Sequence, residues 1–392
     1  MVGASLALAL AGTSKRVVLI ESVPFDDAAQ PSFDERTSAL GNGSRRIFET
    51  LGVWPQLAVH ACAVREIRVS EAGRLGGALL SATEQRLDAL GYVVSNRHVG
   101  AALWGRLALH PQVQVLCPAR VLKVDHQEDA VHLAIEKEGA PGCAKLCARL
   151  VVAADGAFSV VRAASGIGAL VEDYDQVALV VHVRTDRPAA GVAHERFTPT
   201  GPMAVLPLAD GRYTVVWTLR PERAAQVQAL TDAACITELQ RCLGWRIGRI
   251  QQVGKRAGYA LRLSRAESLV GRRTVLVGNA AQALHPVAGQ GFNLGLRDAA
   301  MLAESIAAAT DPGAPGVLES FSRRRAADRR GMIAFTDGLI RLFGSDQPLA
   351  VAARHLGLQL FDFTPVAKRA LARVSWGFGA EAPRLERGLP VR

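Results

Sequence analysis

Apolar and polar positions along the chain alternate between helical and strand periods. Val2 to Ala11 is a run of small and apolar residues that predicts a helix, broken by Gly12 and Ser14; Arg16 to Ile20 predicts a strand closed by Glu21. Asn42 to Leu51, with Ile47, Phe48 and Leu51 on one face, and residues 97–109, with Val99, Leu103, Trp104 and Leu107, predict helices. Strands are expected at Val64 to Ser70, Tyr92 to Ser95, Val113 to Cys117, Val121 to Asp125, Val131 to Glu136 and Leu146 to Ala153, the last four as a meander. From Val177 to Leu219 come VALVVHVR, HERF, MAVLPL and YTVVWTL, with Gly201-Pro202 and Asp210-Gly211 as turns. Glu222 to Gly244 reads as one helix, Tyr259 to Leu263 as a strand and Thr274 to Val277 as a buried strand. A further helix runs from Phe292 to Ile306. Beyond the Gly/Pro linker Asp311 to Gly316 lies a long helical region. Its charged run, Arg323 to Arg325 with Asp328 to Arg330, reads as a solvated helix face.

This order predicts an α/β fold: a Rossmann-type dinucleotide-binding domain interleaved with a β-sheet substrate domain, and a C-terminal helical region. The expected division is 1–70 with 96–165 and 260–310, then 71–95 with 166–259, then 311–392. A chain of 392 residues that is 49% hydrophobic supports two such domains.

Composition narrows the classes. A net charge of +10 is compatible with nucleic acid, an anionic membrane surface or a dinucleotide. No Lys/Arg run exceeds three and aromatics are only 5%, so no nucleic-acid module is expected. Cys143-x3-Cys147 has no second Cys/His pair at ligand spacing. The six cysteines therefore read as reduced thiols of a cytoplasmic enzyme, with no metal site. No uncharged apolar stretch reaches the roughly 18 residues of a spanning helix, and the opening MVGASLALALAG lacks the basic start of a signal peptide. Leu349 to Phe378, with Arg354, Lys368, Arg369 and Arg373, reads either as ordinary packing helix or as a basic patch at the inner face of the cytoplasmic membrane.

The chemistry concentrates in Arg273 to Ile306. A strand ends at Gly278-Asn279, Pro286 keeps the next segment irregular, and Gly289-Gln290-Gly291 opens a helix. A bare glycine-rich turn would be unremarkable. A helix N-terminus of this kind also suits an anionic ligand, because its first N–H groups lack helical partners and glycine admits close approach. A second run, from Val151 to Arg162, places Asp155-Gly156 at the end of a buried strand, then Ser159 and Arg162 at three-residue steps; Ser159 alone would be a helix-start residue. At the N-terminus, helix, strand and Glu21 are the second half of a dinucleotide unit, with the acid placed for ribose hydroxyls.

The run G-N-A-A-Q-x-L-H-P-x-A-G-Q-G-F-N-L-G-x-R-D resembles the second flavin signature of the aromatic-ring hydroxylases, the single-component FAD monooxygenases, and within them the UbiH-type hydroxylases of ubiquinone biosynthesis. Asn279 stands where most of that family has Asp. D-G-x-x-S-x-x-R resembles the family's middle motif, linked there to FAD and nicotinamide. Phe33 to Leu40 resembles D-x-R-x-x-A-L, which brings Arg36 to the flavin. Gly3 stands at the last glycine of G-x-G-x-x-G, so the first strand and two glycines of the fingerprint are expected to precede Met1.

The resemblance thus implies Gly3, Glu21, Arg36, Asp155, Gly156, Gly278, Asn279, Pro286, Gly289, Gln290, Gly291 and Asn293 as FAD-binding residues. Through E-R-F-x-x-x-G-P-x-A-x-L-P it implies Phe197, Leu206, Pro207 and Trp217 as pocket residues, although each also reads as plain core. It assigns no catalytic residue; His285 reads either as a group acting on a phenol proton or as a structural histidine before proline. The implied activity is hydroxylation of 2-polyprenyl-6-methoxyphenol, with NAD(P)H reducing FAD and O2 reaching the ring through a flavin C4a-hydroperoxide. Implied partners are the polyprenyl phenol, O2, other ubiquinone-biosynthesis enzymes and a membrane surface. A flavin reductase or dehydrogenase on the same fold and a non-catalytic scaffold subunit remain as alternatives.

Overall fold

Helix α1 (Val2–Ala11) is apolar on every side because it is covered on every side: Ala4 to Ala11 are all buried. The computed structural model describes residues 1–24, 36–74, 77–139, 142–285, 289–344 and 381–391. Expectations for Phe33 to Glu35, Pro286 and Leu349 to Phe378 fall outside these.

Strand β1 (Val17–Ile20) leaves α1, and β2 (Thr37–Leu40) leads into α2 (Asn42–Thr50) and the short α3 (Trp54–Ala58). Next come β3 (Cys62–Val64), β4 (Glu66–Glu71), β5 (Gly77–Ser81), β6 (Gly91–Ser95) and α4 (Asn96–Leu107). The single strand expected over Val64 to Ser70 is two strands. The chain changes sheet at Arg65, where β3 pairs with β6 and β4 joins the large sheet. Strand β7 (Val113–Leu116) lies parallel to β1. Strands β8 (Ala119–His126), β9 (Val131–Lys137) and β10 (Cys143–Ala148) form an antiparallel meander. The run Leu146 to Ala153 divides between β10 and β11 (Val151–Ala153), which ends before α5 (Val160–Ala164).

The second half builds an antiparallel platform from β12 (Ala169–Thr185), β13 (Val192–Thr198), β14 (Gly201–Pro207) and β15 (Tyr213–Leu219). Where one helix was expected there are two, α6 (Pro221–Ala229) and α7 (Asp232–Leu243). Leu230 is extended at ψ 150° and the Thr231 hydroxyl caps the second helix by accepting from Ala234 N. Strand β16 (Ile250–Ala266) returns along β12; β17 (Val270–Gly271), β18 (Thr274–Leu276) and β19 (Gln282–Ala283) follow. The large sheet has the order β19-β16-β12-β15-β14-β13-β4-β5, while β18 lies parallel to β11. Helices α8 (Gln290–Ala307) and α9 (Pro315–Gly344) complete the body, α9 opening on proline, whose missing N–H costs nothing at a first turn.

Two cores result. One gathers α1, α2, α4, α8 and the parallel pairs; the other lies between one face of the large sheet and α6 with α7.

The charged run on α9 does not behave as a solvated face. Arg323 and Arg330 are exposed, but Arg325 is only 2% exposed and donates to Asp298 on α8, which is 0% exposed. Arg325 also pairs with Asp328, and Gln282 donates to Asp298. The run sews α9 to α8. Among the described residues no helix is long and apolar enough to cross a membrane.

Candidate active site

The C-terminal ends of β11 and β18 lie side by side, Ala153 opposite Leu276, and both lead into motif turns. In parallel α/β sheets this edge forms the ligand crevice. Asp155 and Asn279 both stand exposed there. Asp155 accepts from Val161 N at 3.3 Å, and the Ser159 hydroxyl accepts from Arg162 N at 2.9 Å, so the second motif folds on itself. Arg162 then spans the two turns, donating to Ala157 O and Ala280 O, each at 2.9 Å. The sequence placed Arg162 in the motif without this role; its three-residue step from Ser159 was the available signal.

Helix α8 approaches the same edge closely. A Cβ on Gly295 would stand 3.0 Å from the Gly278 Cα and 3.0 Å from Val2. Gly278 itself has φ +59°, and its side-chain direction is filled by Val2. At the start of α8, Gly289 caps the helix at φ +61° without a side-chain cap bond. A Cβ there would lie 3.0 Å from Ala39, whereas one on Gly291 would meet nothing within 4 Å. The helix therefore starts against β2 but, among the described residues, opens at Gly291 onto free space, with its first-turn N–H groups and dipole directed there. Gln290 is buried.

Asn293 holds this geometry. Its carbonyl oxygen accepts from Gly41 N (2.8 Å) and the Ser44 hydroxyl (2.7 Å), and its amide donates to Ala39 O (2.7 Å) and Gly289 O (2.9 Å). All four positions of the side chain are filled by the protein. Anything Asn293 offers a ligand comes from its backbone.

The other expected cofactor residues border the same region. A Cβ on Gly3 would lie 3.1 Å from that of Ala154, which puts the start of α1 beside the β11 turn. Gly156 has φ +92° and open space beside it. Glu21 ends β1, its carboxylate accepting from Val23 N at 3.1 Å. Arg36 stacks over the Tyr259 ring at 4.9 Å, bridging the β2 segment to the large sheet. Pro286 lies outside the described residues. His285 is buried edge-on to Tyr174 at 5.4 Å, and burial lowers its pKa to about 4, so it is neutral near pH 7.

The four expected pocket residues are not brought together. Trp217 pairs with Leu179 and Met203, and Pro207 with Tyr213, on the face that packs against α6 and α7. Phe197 and Leu206 lie on the opposite face, where Leu206 and Ala193 meet Val64 and Val93. Tyr259, the partner of Arg36, is on that same face through its pairing with Ala178, in register with Thr218. Of the four, Phe197 and Leu206 lie on the face turned toward the nucleotide-binding edge.

The open Gly291 step, the uncapped α8 N-terminus and the polar ends of β11 and β18 fit a long dinucleotide with anionic groups. The sequence profile of the FAD binding domain matches residues 1–336. Ubiquinone hydroxylase UbiL of Rhodospirillum rubrum is 37% identical over 401 residues, covering 100% of this chain and 91% of that protein. The 3-demethoxyubiquinol 3-hydroxylase of Escherichia coli is 32% identical over 387 residues, covering 96% of each. The p-nitrophenol 4-monooxygenase PnpA of Pseudomonas putida shares the fold, with a TM-score of 0.78 at 20% identity over 97% of this chain and 96% of that one. With its glycine-lined crevice and these relatives, the chain belongs to the FAD-dependent aromatic-ring hydroxylases, in their ubiquinone-hydroxylase branch.

Proposed function

We propose that this protein hydroxylates the ring of a polyprenyl phenol, 2-polyprenyl-6-methoxyphenol or a close analogue, in ubiquinone biosynthesis, with NAD(P)H as donor. The observation that carries the reading is the opposition of two surfaces. The crevice at Asp155, Asn279 and the α8 N-terminus faces a sheet face bearing Phe197, Leu206 and Tyr259. FAD held at this crevice would supply hydride acceptance from the reduced nicotinamide and activation of O2. The protein's part is placement, electrostatics and exclusion of water.

In this reading the first-turn N–H groups after Gly289 stabilise negative charge on the ring edge nearest them. Asn279 offers an acceptor without a charge, and Asp155 accepts hydrogen bonds from hydroxyls on the polar side. Arg36, fixed on Tyr259, borders the space between the cofactor edge and the sheet. Phe197 and Leu206 supply apolar contact for the substrate. A prenyl tail also favours peripheral attachment to the cytoplasmic membrane and work beside other ubiquinone-biosynthesis enzymes.

The test is turnover of the FAD-loaded protein with NADH or NADPH, a short-chain polyprenyl phenol and 18O2. The expected product carries one labelled oxygen. Nucleotide oxidation with no label in any product would favour the reductase reading; absence of FAD binding would favour a scaffold.

A further inference from the structure

His194, Glu195, Arg196 and Phe197 are consecutive on β13, so they point alternately to the two faces of the sheet. His194 pairs with Val205 on the helix-covered face, and Arg196 turns the same way to reach Cys242 O at 2.8 Å. Glu195 goes with Phe197 to the other face, toward the nucleotide-binding edge. There it sits in a row running across the strands: Val180, Val216, Ala204, Glu195, Val69 and Ala78. It is the one carboxylate among small apolar side chains.

No hydrogen bond or ion pair ties this carboxyl to another residue among those described. Its side chain is half-buried on this face, and burial alone pushes its pKa up to about 7. A half-buried carboxyl on the face turned toward Arg36 and Tyr259 remains reachable from the side of the nucleotide-binding edge. An unpaired acid on an apolar face destabilises the fold, so it is a functional-site candidate. Arg184 lies on this side too, exposed at the far end of β12, and three other titratable or charged groups here are engaged among the described residues. Glu71 pairs with Arg74 at 3.4 Å, His182 shares a hydrogen bond with Thr214 at 3.0 Å, and Arg36 is stacked on Tyr259. Asp337 lies on α9, which packs against β14. None of them contributes to the Glu195 shift.

We propose that Glu195 receives the proton of the substrate's phenolic hydroxyl as oxygen is transferred to the ring. This rests on the hydroxylase reading above. The phenolic O–H bond breaks, its proton passes to a carboxylate oxygen, and the electron pair stays on the phenolic oxygen, where it raises the nucleophilicity of the ring. One atom of O2 forms the new C–O bond. The proton on that ring carbon leaves as aromaticity returns, and Glu195 gives its own proton back. Overall, substrate, O2, NAD(P)H and one proton become hydroxylated product, NAD(P)+ and water. A phenol ionises near about 10, as tyrosine does, and a base poised near neutrality is the effective partner. His285, with its pKa lowered to about 4, is a much weaker base.

The test uses FAD-loaded wild type, E195Q and E195D, with hydroxylated product measured against pH in single turnovers. FAD affinity and melting temperature serve as controls. Wild-type rate should rise with pH to a plateau, with its midpoint near 7. E195Q should lose about 100-fold and show no such limb. Its deficit should narrow along a series of increasingly acidic ring-substituted phenols, a dependence that a structural role does not produce. A folded, FAD-binding E195Q that keeps the wild-type rate and profile overturns the assignment but leaves the hydroxylase reading intact. A wild type that hydroxylates no phenol overturns both. If glutamine spoils folding, E195D decides: it should keep the limb at reduced rate, and a flat profile overturns the proposal.

Discussion

Arg325 Nε lies 2.6 Å from Asp298 Oδ1, with neither side chain open to solvent beyond 2%. Each is therefore required by the other. Replacing Arg325 by Met strands a buried carboxylate and should cost about 3–5 kcal/mol, read as a shift in urea midpoint at unchanged m-value. The double variant Asp298→Asn with Arg325→Met should recover much of that loss. If the double is as unstable as the single, the cost lies in packing and not in the uncompensated charge.

Asn293 should show a related dependence through neutral bonds. Asn293→Ala removes a side chain with four protein partners and leaves Gly41 N and Ala39 O without theirs. About 2–4 kcal/mol of stability should go, and FAD affinity should fall with it, because the α8 start and β2 are no longer clasped. Chemical denaturation and flavin fluorescence titration on the same sample would show whether the two losses travel together.

Two glycines one helical turn apart should respond in opposite ways. Gly291→Ala meets no atom of the described residues, so the melting temperature should hold while FAD affinity drops at least tenfold, about 1.4 kcal/mol. Gly295→Ala pushes a methyl toward Gly278 and Val2 and should destabilise the protein by about 1–2 kcal/mol with or without FAD. Equal effects at the two sites would contradict the open crevice at Gly291.

Glu386 gives a pH signature. It is 1% exposed, its carboxylate oxygens accept no hydrogen bond among the described residues, and burial raises its pKa from 4.5 to about 7. A carboxyl whose folded pKa is raised holds its proton more tightly when folded. It therefore does not penalise folding below about pH 4.5 and does so fully above about 7. Relative to wild type, Glu386→Gln should gain stability as pH rises through that window, approaching about 2–3 kcal/mol by pH 8. Melting curves of both proteins from pH 4.5 to 8.5 test this. A constant difference across the range would exclude the titration.

The sequence carried the cofactor edge well because its signals are local. The bounds of α1, and the presence of a strand before Asp155 and of a helix after Gly289, follow from runs of like residues and glycine punctuation. It failed where the answer depended on a distant surface. A run such as Arg323 to Arg330 looks the same whether it faces water or a buried Asp298, until α8 is placed beside α9. The break at Leu230 was marked by Thr231-Asp232, a capping residue followed by an acid, but the apolar positions on both sides kept helical spacing. The division of Leu206 from Pro207 was legible in principle, since adjacent strand residues cannot share a face. Motif resemblance drew attention away from that parity.

The Asn293 clasp also constrains the order in which the protein can be finished. Its partners Ala39, Gly41 and Ser44 lie 254, 252 and 249 residues upstream. At a synthesis rate of about 5–20 residues per second, the N-terminal strand and helix leave the ribosome roughly 12–50 s before the amide that locks them exists. During that interval the uniformly apolar α1 has no α8 to cover it. The nascent chain is thus most exposed to aggregation and to chaperone capture over its middle two thirds, and a variant that slows completion of α8 lowers yield without changing any contact of the finished molecule.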